Sequence, residues 1–428
     1  MSIIGPSRDP VDAGLVTQQT EDAIWATVFA PRAVRTANEQ QRGEVFTPQN
    51  IINEMLSKLP ASLWTDPGLR WFEPSAGQGQ FVLEVYRRLR AHHTHDHIVR
   101  NMLFMSEIEA RNASVCRSLF GPHANIYTGN TLTAPGYGGW AHTFDVVFGN
   151  PPFNTPSGAK RNRENQLWRL FLNRALDSWL VKGGYFCFLH PPGWRLPGDE
   201  LFLRMQNLNV LYLSMHDQRE GQLAFKSATR FDWYALRNEP AGGPTTVRDD
   251  RHIEHAAVSL RDMTFLPNSC FESVRRLLPR GTEAKCRVLW NNVYIDKDCV
   301  PQPTATYNKP VVYTVGLDPE NKGGRVVLKG NHGTALLQYT NKDSTVHYGV
   351  PKVIFRRTSP LGTVSDPDGS LRMACWCIGI AAPAEQHDML QTWVTDNQLV
   401  LKALSISGND VSHKLLGELK HEFWKFPL

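Results

Sequence analysis

The pentapeptide Gly149-Asn150-Pro151-Pro152-Phe153 concentrates more chemistry than any other stretch of the chain. Two successive prolines fix φ and delete two backbone donors. The carbonyls before and at the first proline are then held outward with no ladder to join. An Asn side-chain oxygen beside such a carbonyl makes a pair of acceptors suited to a flat exocyclic amino group. The ring of Phe153 offers a face on which a flat base can stack. In isolation the tetrapeptide could be only a turn; its place at the end of a strand, after two further polar features, argues for a site.

The first of those features is the turn Phe72-Glu73-Pro74-Ser75-Ala76-Gly77-Gln78-Gly79-Gln80-Phe81. Two glycines one residue apart let a backbone approach a ligand closely, at the strand end where doubly wound sheets bind cofactors. A tight connection required only by packing is the alternative. No GxGxxG continuation follows and no GxxxxGK[ST] occurs, which argues against a dinucleotide site and a phosphate-loop NTPase. Met105-Ser106-Glu107 then ends a second strand with a carboxylate, placed either to bind ribose hydroxyls or simply to be solvated. Thr128-Gly129-Asn130 brings an amide to the same rim, able to meet an adenine edge or to cap the next turn. Lys160-Arg161-Asn162-Arg163 reads as a solvated loop or as a phosphate clamp. His92-His93-Thr94-His95-Asp96-His97 lies at a polar helix end, and Cys375-Trp376-Cys377 lacks a second pair at zinc spacing, so no metal site is assigned.

These residues need elements to hold them. Strands are expected ending at Phe72 and over 102–105, 125–127, 144–148 and 184–189, alternating with helices over 81–91, 110–119 and 164–180. Such alternation predicts a parallel α/β sheet with helices on its faces. Two further strands, 210–215 and 231–236, are too close for a long crossover and are expected as an antiparallel edge. The Pro/Gly cluster 239–244 reads as a domain boundary. Beyond it, Val, Tyr and Thr with frequent turn residues predict a mainly β second domain, with strands in 309–317, 324–330 and 351–357 and closing helices near 384–404 and 411–425. The division is thus an N-terminal arm and helix (1–40), a first domain (41–240) and a second (241–428).

Composition bounds the class. The 428 residues are 41% hydrophobic and 20% charged, enough to bury two cores. Net charge is +5, which favours an anionic partner only weakly and requires a shaped groove rather than a basic tail. Seven scattered cysteines argue for a reducing compartment. With no apolar run of 18 residues and no signal-like start, the expected location is intracellular, cytoplasm or nucleoid.

In their order these motifs resemble the S-adenosylmethionine-dependent DNA adenine-N6 methyltransferases, in the gamma-type arrangement with the motor domain first and target recognition last. Gly43-Glu44-Val45-Phe46-Thr47-Pro48 is similar to that family's N-terminal cofactor motif. Glu73 to Gly79 resembles its cofactor loop, Glu107 its ribose-binding acid, Asn150-Pro151-Pro152-Phe153 its catalytic motif, and 183–192 its fifth-strand region. The likeness covers roughly residues 40–238. The family usually has Asp where Asn130 stands, and the second domain matches it by position only.

The resemblance implies a Rossmann-like class I methyltransferase sheet with a β-rich recognition domain, and S-adenosylmethionine as cofactor. Cofactor contacts would come from Phe46, Thr47, Pro48, Glu73, Pro74, Ala76, Gly77, Gly79, Glu107, Asn130 and Asn150. The substrate would be DNA, with an adenine flipped out of the duplex against Phe153, and Lys160, Arg161 and Arg163 on phosphates. Phe225, expected in a loop, is either a second wall for the base or a residue packed beneath that loop. A separate restriction nuclease is a further partner consistent with the family; no nuclease motif accompanies the two domains. Motifs of this type also occur in methyltransferases acting on RNA guanine amino groups or protein glutamine amides. A silent nucleic-acid-binding protein with the same fold is the non-enzymatic rival.

Overall fold

The computed structural model describes residues 14–29, 46–133, 144–153, 166–290, 299–316, 326–330, 333–342, 347–358 and 361–428. The chain divides into two compact units: Met1–Pro192 with Arg204–Val258, and Gly193–Leu203 with Ser259–Leu428.

The first unit is built on a nine-stranded sheet. Its elements are α1 (Glu21–Thr27), α2 (Gln49–Ser57), β1 (Trp71–Glu73), α3 (Gln80–Leu89), β2 (Leu103–Glu107), α4 (Ala110–Phe120), β3 (Asn125–Thr128), β4 (Phe144–Gly149), α5 (Leu167–Arg174), β5 (Leu180–His190), β6 (Leu208–His216), α6 (Gln218–Phe225), β7 (Phe231–Pro240), β8 (Thr245–Arg248) and β9 (Glu254–Val258). The strand order is β3-β2-β1-β4-β5-β7-β6-β8-β9. The first five strands run parallel, and β7 is antiparallel to both its neighbours. Strand β1 and most of β4 are buried, which is why they read as near-continuous apolar runs rather than alternating ones. Because β2 and β4 flank β1 on opposite sides, the chain reverses its direction of travel there. The carboxyl ends of β1 and β4 therefore open a crevice, the usual ligand position in such sheets.

Three local expectations change. The helix expected over 164–180 runs from Leu167 to Arg174, then widens into a turn over Ala175–Trp179, so that β5 starts at Leu180. The link between β6 and β7 is not a loop but α6, started by a reciprocal capping box between Asp217 and Glu220. The cluster 239–244 makes a turn inside the sheet rather than leaving it: β8 follows at once and pairs in parallel with β6, Tyr212 opposite Thr246. The compact unit accordingly runs to Val258.

The second unit contains β10 (Val288–Leu289), β11 (Cys299–Val300), β12 (Lys309–Val315), β13 (Val326–Gly330), β14 (Gly333–Thr340), β15 (Lys352–Arg356), β16 (Thr363–Asp366), β17 (Arg372–Met373) and β18 (Cys377–Ala381). They form one sheet in the order β10-β18-β15-β16 and another in the order β11-β14-β12-β17, with β13 on β14. Val312, Val315, Leu337, Ile354, Val364 and Met373 fill a common core. Helices His387–Asp396 and Gln398–Ala403 follow as expected. The helix expected over 411–425 shrinks to the turns His413–Leu416 and Phe423–Lys425. Between them the backbone is spent on other partners: Leu419 O accepts from Cys286 N, and Lys420 N donates to Leu277 O.

Candidate functional site

A cavity of about 500 Å3 in the first unit is lined from the carboxyl ends of β1, β2 and β4, from Phe46 and Thr47, and from Leu167 and Phe171 on α5. Phe46, Thr47, Glu73, Pro74, Ala76, Gly77, Glu107, Asn130, Asn150, Pro151, Pro152 and Phe153 all face it. Residues as far apart in sequence as Phe46 and Phe153 are thus brought to one rim.

The glycine turn is held by its neighbours. Ala76 N donates to Ser106 O, Gly79 N to Ala76 O, and Thr131 Oγ1 to Pro74 O at 2.7 Å. Glu107 accepts Gly77 N at 2.8 Å on one oxygen and Glu109 N at 2.8 Å on the other. A carboxylate has about four acceptor positions, so two backbone N–H groups leave capacity for hydroxyl donors while fixing its orientation. Gly77 has φ +55°, and a Cβ added there would have Phe46 Cε1 at 3.7 Å as its nearest neighbour. The backbone therefore presents open space beside the cavity at this point.

Glu73 is buried among these groups. Burial pushes its carboxyl well above the ordinary range, the negative charge of Glu107 adds to this, and the backbone N–H of Val82 opposes it. Its Oε2 and the buried Ser75 Oγ have no hydrogen-bond partner among the described residues. Gly149, at φ +140°, is glycine because Glu73 lies over it: a Cβ would come within 3.1 Å of Oε1. Asn150 Nδ2 donates to Thr47 Oγ1 at 3.1 Å. Asn130 Oδ1 caps its turn by accepting Leu132 N at 3.0 Å, while the side chain lines the cavity, so the two readings of this amide coexist. Its donor end is the one remaining for an acceptor.

Three expected residues lie elsewhere. Pro48 starts α2, its carbonyl accepting Ile51 N and Ile52 N, and does not line the cavity. Gly79 caps α3, with its hydrogen side turned to Cys116, Leu119 and Phe120 of α4 instead of the ligand space. Phe225 ends α6, is 3% exposed and meets Phe231 edge-on at 5.0 Å, within the core. It is a packing residue in this structure, because α6 replaces the loop that would have projected it. Lys160, Arg161 and Arg163 lie outside the described residues. The histidine run is engaged in the fold: His93 Nε2 with Trp64 O, His95 Nδ1 with Tyr86 Oη and His97 Nε2 with Pro67 O.

The cavity also uses residues that motif reading passed over, among them Gln80, Ile108, Asn112, Leu132, Leu167 and Phe171. Ile108 had a readable signal. It is a large apolar residue directly after the strand-ending acid, and it is 62% exposed at the cavity.

Residues 32–176 match the family model of N-6 DNA methylases. No curated protein matches the sequence. Among solved structures, the type IIL restriction-modification enzyme MmeI in complex with DNA is similar over 92% of this chain and 70% of its own, at 11% identity and a TM-score of 0.53. The methyltransferase subunit of the type I restriction-modification system from Streptococcus thermophilus is similar over 56% of this chain and 50% of its own, at 13% identity and a TM-score of 0.39. The EcoKI M protein covers 45% of this chain and 44% of its own, at 16% identity and a TM-score of 0.36. The chain spans about half the length of the type I modification subunits it matches. The fold is that of class I methyltransferases with an additional β-rich C-terminal region. No helix among the described residues is long and apolar enough to cross a membrane.

The lining fits S-adenosylmethionine. Among the described residues it carries three carboxyl side chains, Glu73, Glu107 and Glu109, and no Lys or Arg, which suits a ligand with a sulfonium and an ammonium. Gly77 leaves room for the ligand beside the backbone, and Glu73 Oε2 and Ser75 Oγ are polar atoms with no partner among the described residues.

Proposed function

We propose that this protein is an S-adenosylmethionine-dependent DNA methyltransferase acting on the N6 amino group of adenine. The observation that carries the reading is that Asn150, Pro151, Pro152 and Phe153 line the same cavity as Gly77 and Glu107. An amino-group clamp and a cofactor cradle therefore share one space.

In this reading Glu107 accepts the ribose hydroxyls, the Gly77 backbone and Glu73 take the amino-acid end, and Phe46, Ile108 and Asn130 surround the adenine ring. The cofactor supplies a methyl group already activated on a sulfonium, so no metal or strong base is needed. Asn150 and the Pro151 carbonyl accept the hydrogens of the target amino group. That draws the nitrogen toward tetrahedral geometry and localises a lone pair otherwise delocalised into the ring. Positioning and fixed acceptors supply most of the rate enhancement. Phe153 stacks on the flipped base, and Lys160, Arg161 and Arg163 neutralise nearby phosphates. The second unit reads the target sequence, which gives the gamma-type order, and cleavage belongs to a separate nuclease where one exists.

Radiolabelled methyl transfer to DNA, RNA and protein, followed by mapping of modified adenines, tests the reading. Label on adenine in DNA, lost in Asn150→Ala far more than cofactor binding is weakened, is the expected result. Label found only in RNA or protein moves the enzyme to another substrate class, and no transfer to any of them leaves a binding protein.

A further inference from the structure

The bond between Asn150 and Thr47 carries a consequence for catalysis that rests on the reading above. A carboxamide has two ends of nearly equal shape and opposite polarity. Only its oxygen can accept from a target amino group; the reversed amide would set N–H against N–H. The amide must therefore be held with its oxygen toward the target.

We propose that Thr47 is a positioning residue for Asn150: its hydroxyl accepts from Asn150 Nδ2 and holds the amide with its oxygen toward the target amino group. The distance is 3.1 Å, and the acceptor, Thr47, is buried at 4% exposure. Both partners are held by backbone. Thr47 precedes Pro48, whose carbonyl accepts the first N–H groups of α2, and α2 is anchored by buried Ile51, Ile52, Met55 and Leu56. Asn150 is fixed between Gly149, whose φ of +140° and close approach to Glu73 favour glycine, and Pro151. The segment that resembles a cofactor motif is thus also tied to the catalytic tetrapeptide, across 103 residues of sequence. Thr47 acts on the reaction through Asn150 and not by touching the base.

The test uses the full chain with Thr47→Val, which keeps the shape and loses the acceptor, Thr47→Ala as a second deletion of the hydroxyl, and Thr47→Ser, which retains it. Single-turnover transfer to an adenine-containing duplex should fall about tenfold in the valine and alanine variants, the scale of one buried hydrogen bond. Thr47→Ser should stay near wild type, and calorimetric titration should show that the loss of rate in the valine and alanine variants exceeds any loss of cofactor affinity. Independently of activity, the 15N-labelled Asn150 side-chain amide should shift in the valine and alanine variants and not in the serine variant. A wild-type transfer rate in Thr47→Val and Thr47→Ala, a serine variant as slow as they are, a loss of cofactor affinity matching the loss of rate, or an unmoved amide resonance would each overturn the proposal. Wild-type protein that methylates no adenine removes the parent reading instead, while the amide resonance still reports on the Thr47 bond.

Discussion

Substituting alanine at Gly77 and at Gly79 should produce opposite defects, although both glycines belong to one turn. Gly79 has φ +94°, and an added Cβ would sit 3.3 Å from Cys116 Sγ, 3.4 Å from Phe120 Cε2 and 3.5 Å from Leu119 Cδ1. Those three side chains are fully buried and cannot move aside cheaply. A left-handed backbone costs a non-glycine residue about 1–2 kcal/mol, and overpacking a filled core adds about 1–3 kcal/mol. Together they predict a loss of about 2–5 kcal/mol of stability for Gly79→Ala. Gly77, at φ +55°, incurs the backbone cost alone, because its nearest neighbours, Phe46 Cε1 at 3.7 Å and Gln80 Oε1 at 4.0 Å, are at ordinary contact distance. Its new methyl group would instead occupy ligand space. Urea unfolding and calorimetric titration with S-adenosylmethionine, both at a temperature where each variant is folded, separate the effects. Gly79→Ala should be the less stable protein with near-normal affinity, and Gly77→Ala the more stable protein with weakened affinity. A Gly79→Ala protein as stable as wild type, or the reverse ranking, would refute the assignment of the two glycines to folding and to binding.

Glu73→Gln should change how stability depends on pH. Below the ordinary carboxylate pKa, Glu73 is protonated whether folded or unfolded. Above it the unfolded chain ionises while the buried carboxyl keeps its proton, so its contribution is lost as pH rises toward the folded pKa, by about 1.4 kcal/mol per pH unit. The difference in urea-unfolding stability between Glu73→Gln and wild type should therefore grow in favour of the variant as pH rises from 5; parallel curves would show that the carboxyl is not held neutral. Glu107→Ala removes the acceptor for Gly77 N and Glu109 N and should weaken cofactor binding by about 1–3 kcal/mol. An unaltered dissociation constant would limit Glu107 to holding the turn through Gly77 N and Glu109 N. Phe225→Ala should cost about 3–5 kcal/mol of stability, with the fluorescence of a 2-aminopurine target base unchanged. Altered fluorescence without lost stability would place Phe225 against the substrate.

Much of the parallel sheet was legible because its signals are local. A strand covered on both faces must be apolar throughout, which Trp71-Phe72 and Phe144-Asp145-Val146-Val147-Phe148 nearly are. Gly77, Glu107 and Asn150 could be placed at one rim for the same reason: each directly follows or ends such a strand, and parallel strands bring their carboxyl ends together. The prolines after Asn150 declare their stiffness without reference to any neighbour.

What tertiary structure decided was which side of each residue meets which partner. Composition and spacing treat Gly77 and Gly79 alike; only the packing of α4 against the turn gives one to folding and the other to the cavity. Phe225 reads as a loop aromatic until the capping box of α6 turns it into the core. Pro240 and its glycines look like a boundary until β8 finds β6 as a parallel partner, a pairing set by non-local hydrogen bonds that no window of sequence contains. The raised pKa of Glu73 and the bond that holds the Asn150 amide are decided in the same way. A protonation state depends on burial and on a second carboxylate 34 positions away in the chain, Glu107, and an amide's orientation depends on a hydroxyl 103 positions away. Local sequence sets stiffness and which positions are buried, whereas polarity at the site is fixed by distant groups that meet only when the sheet closes.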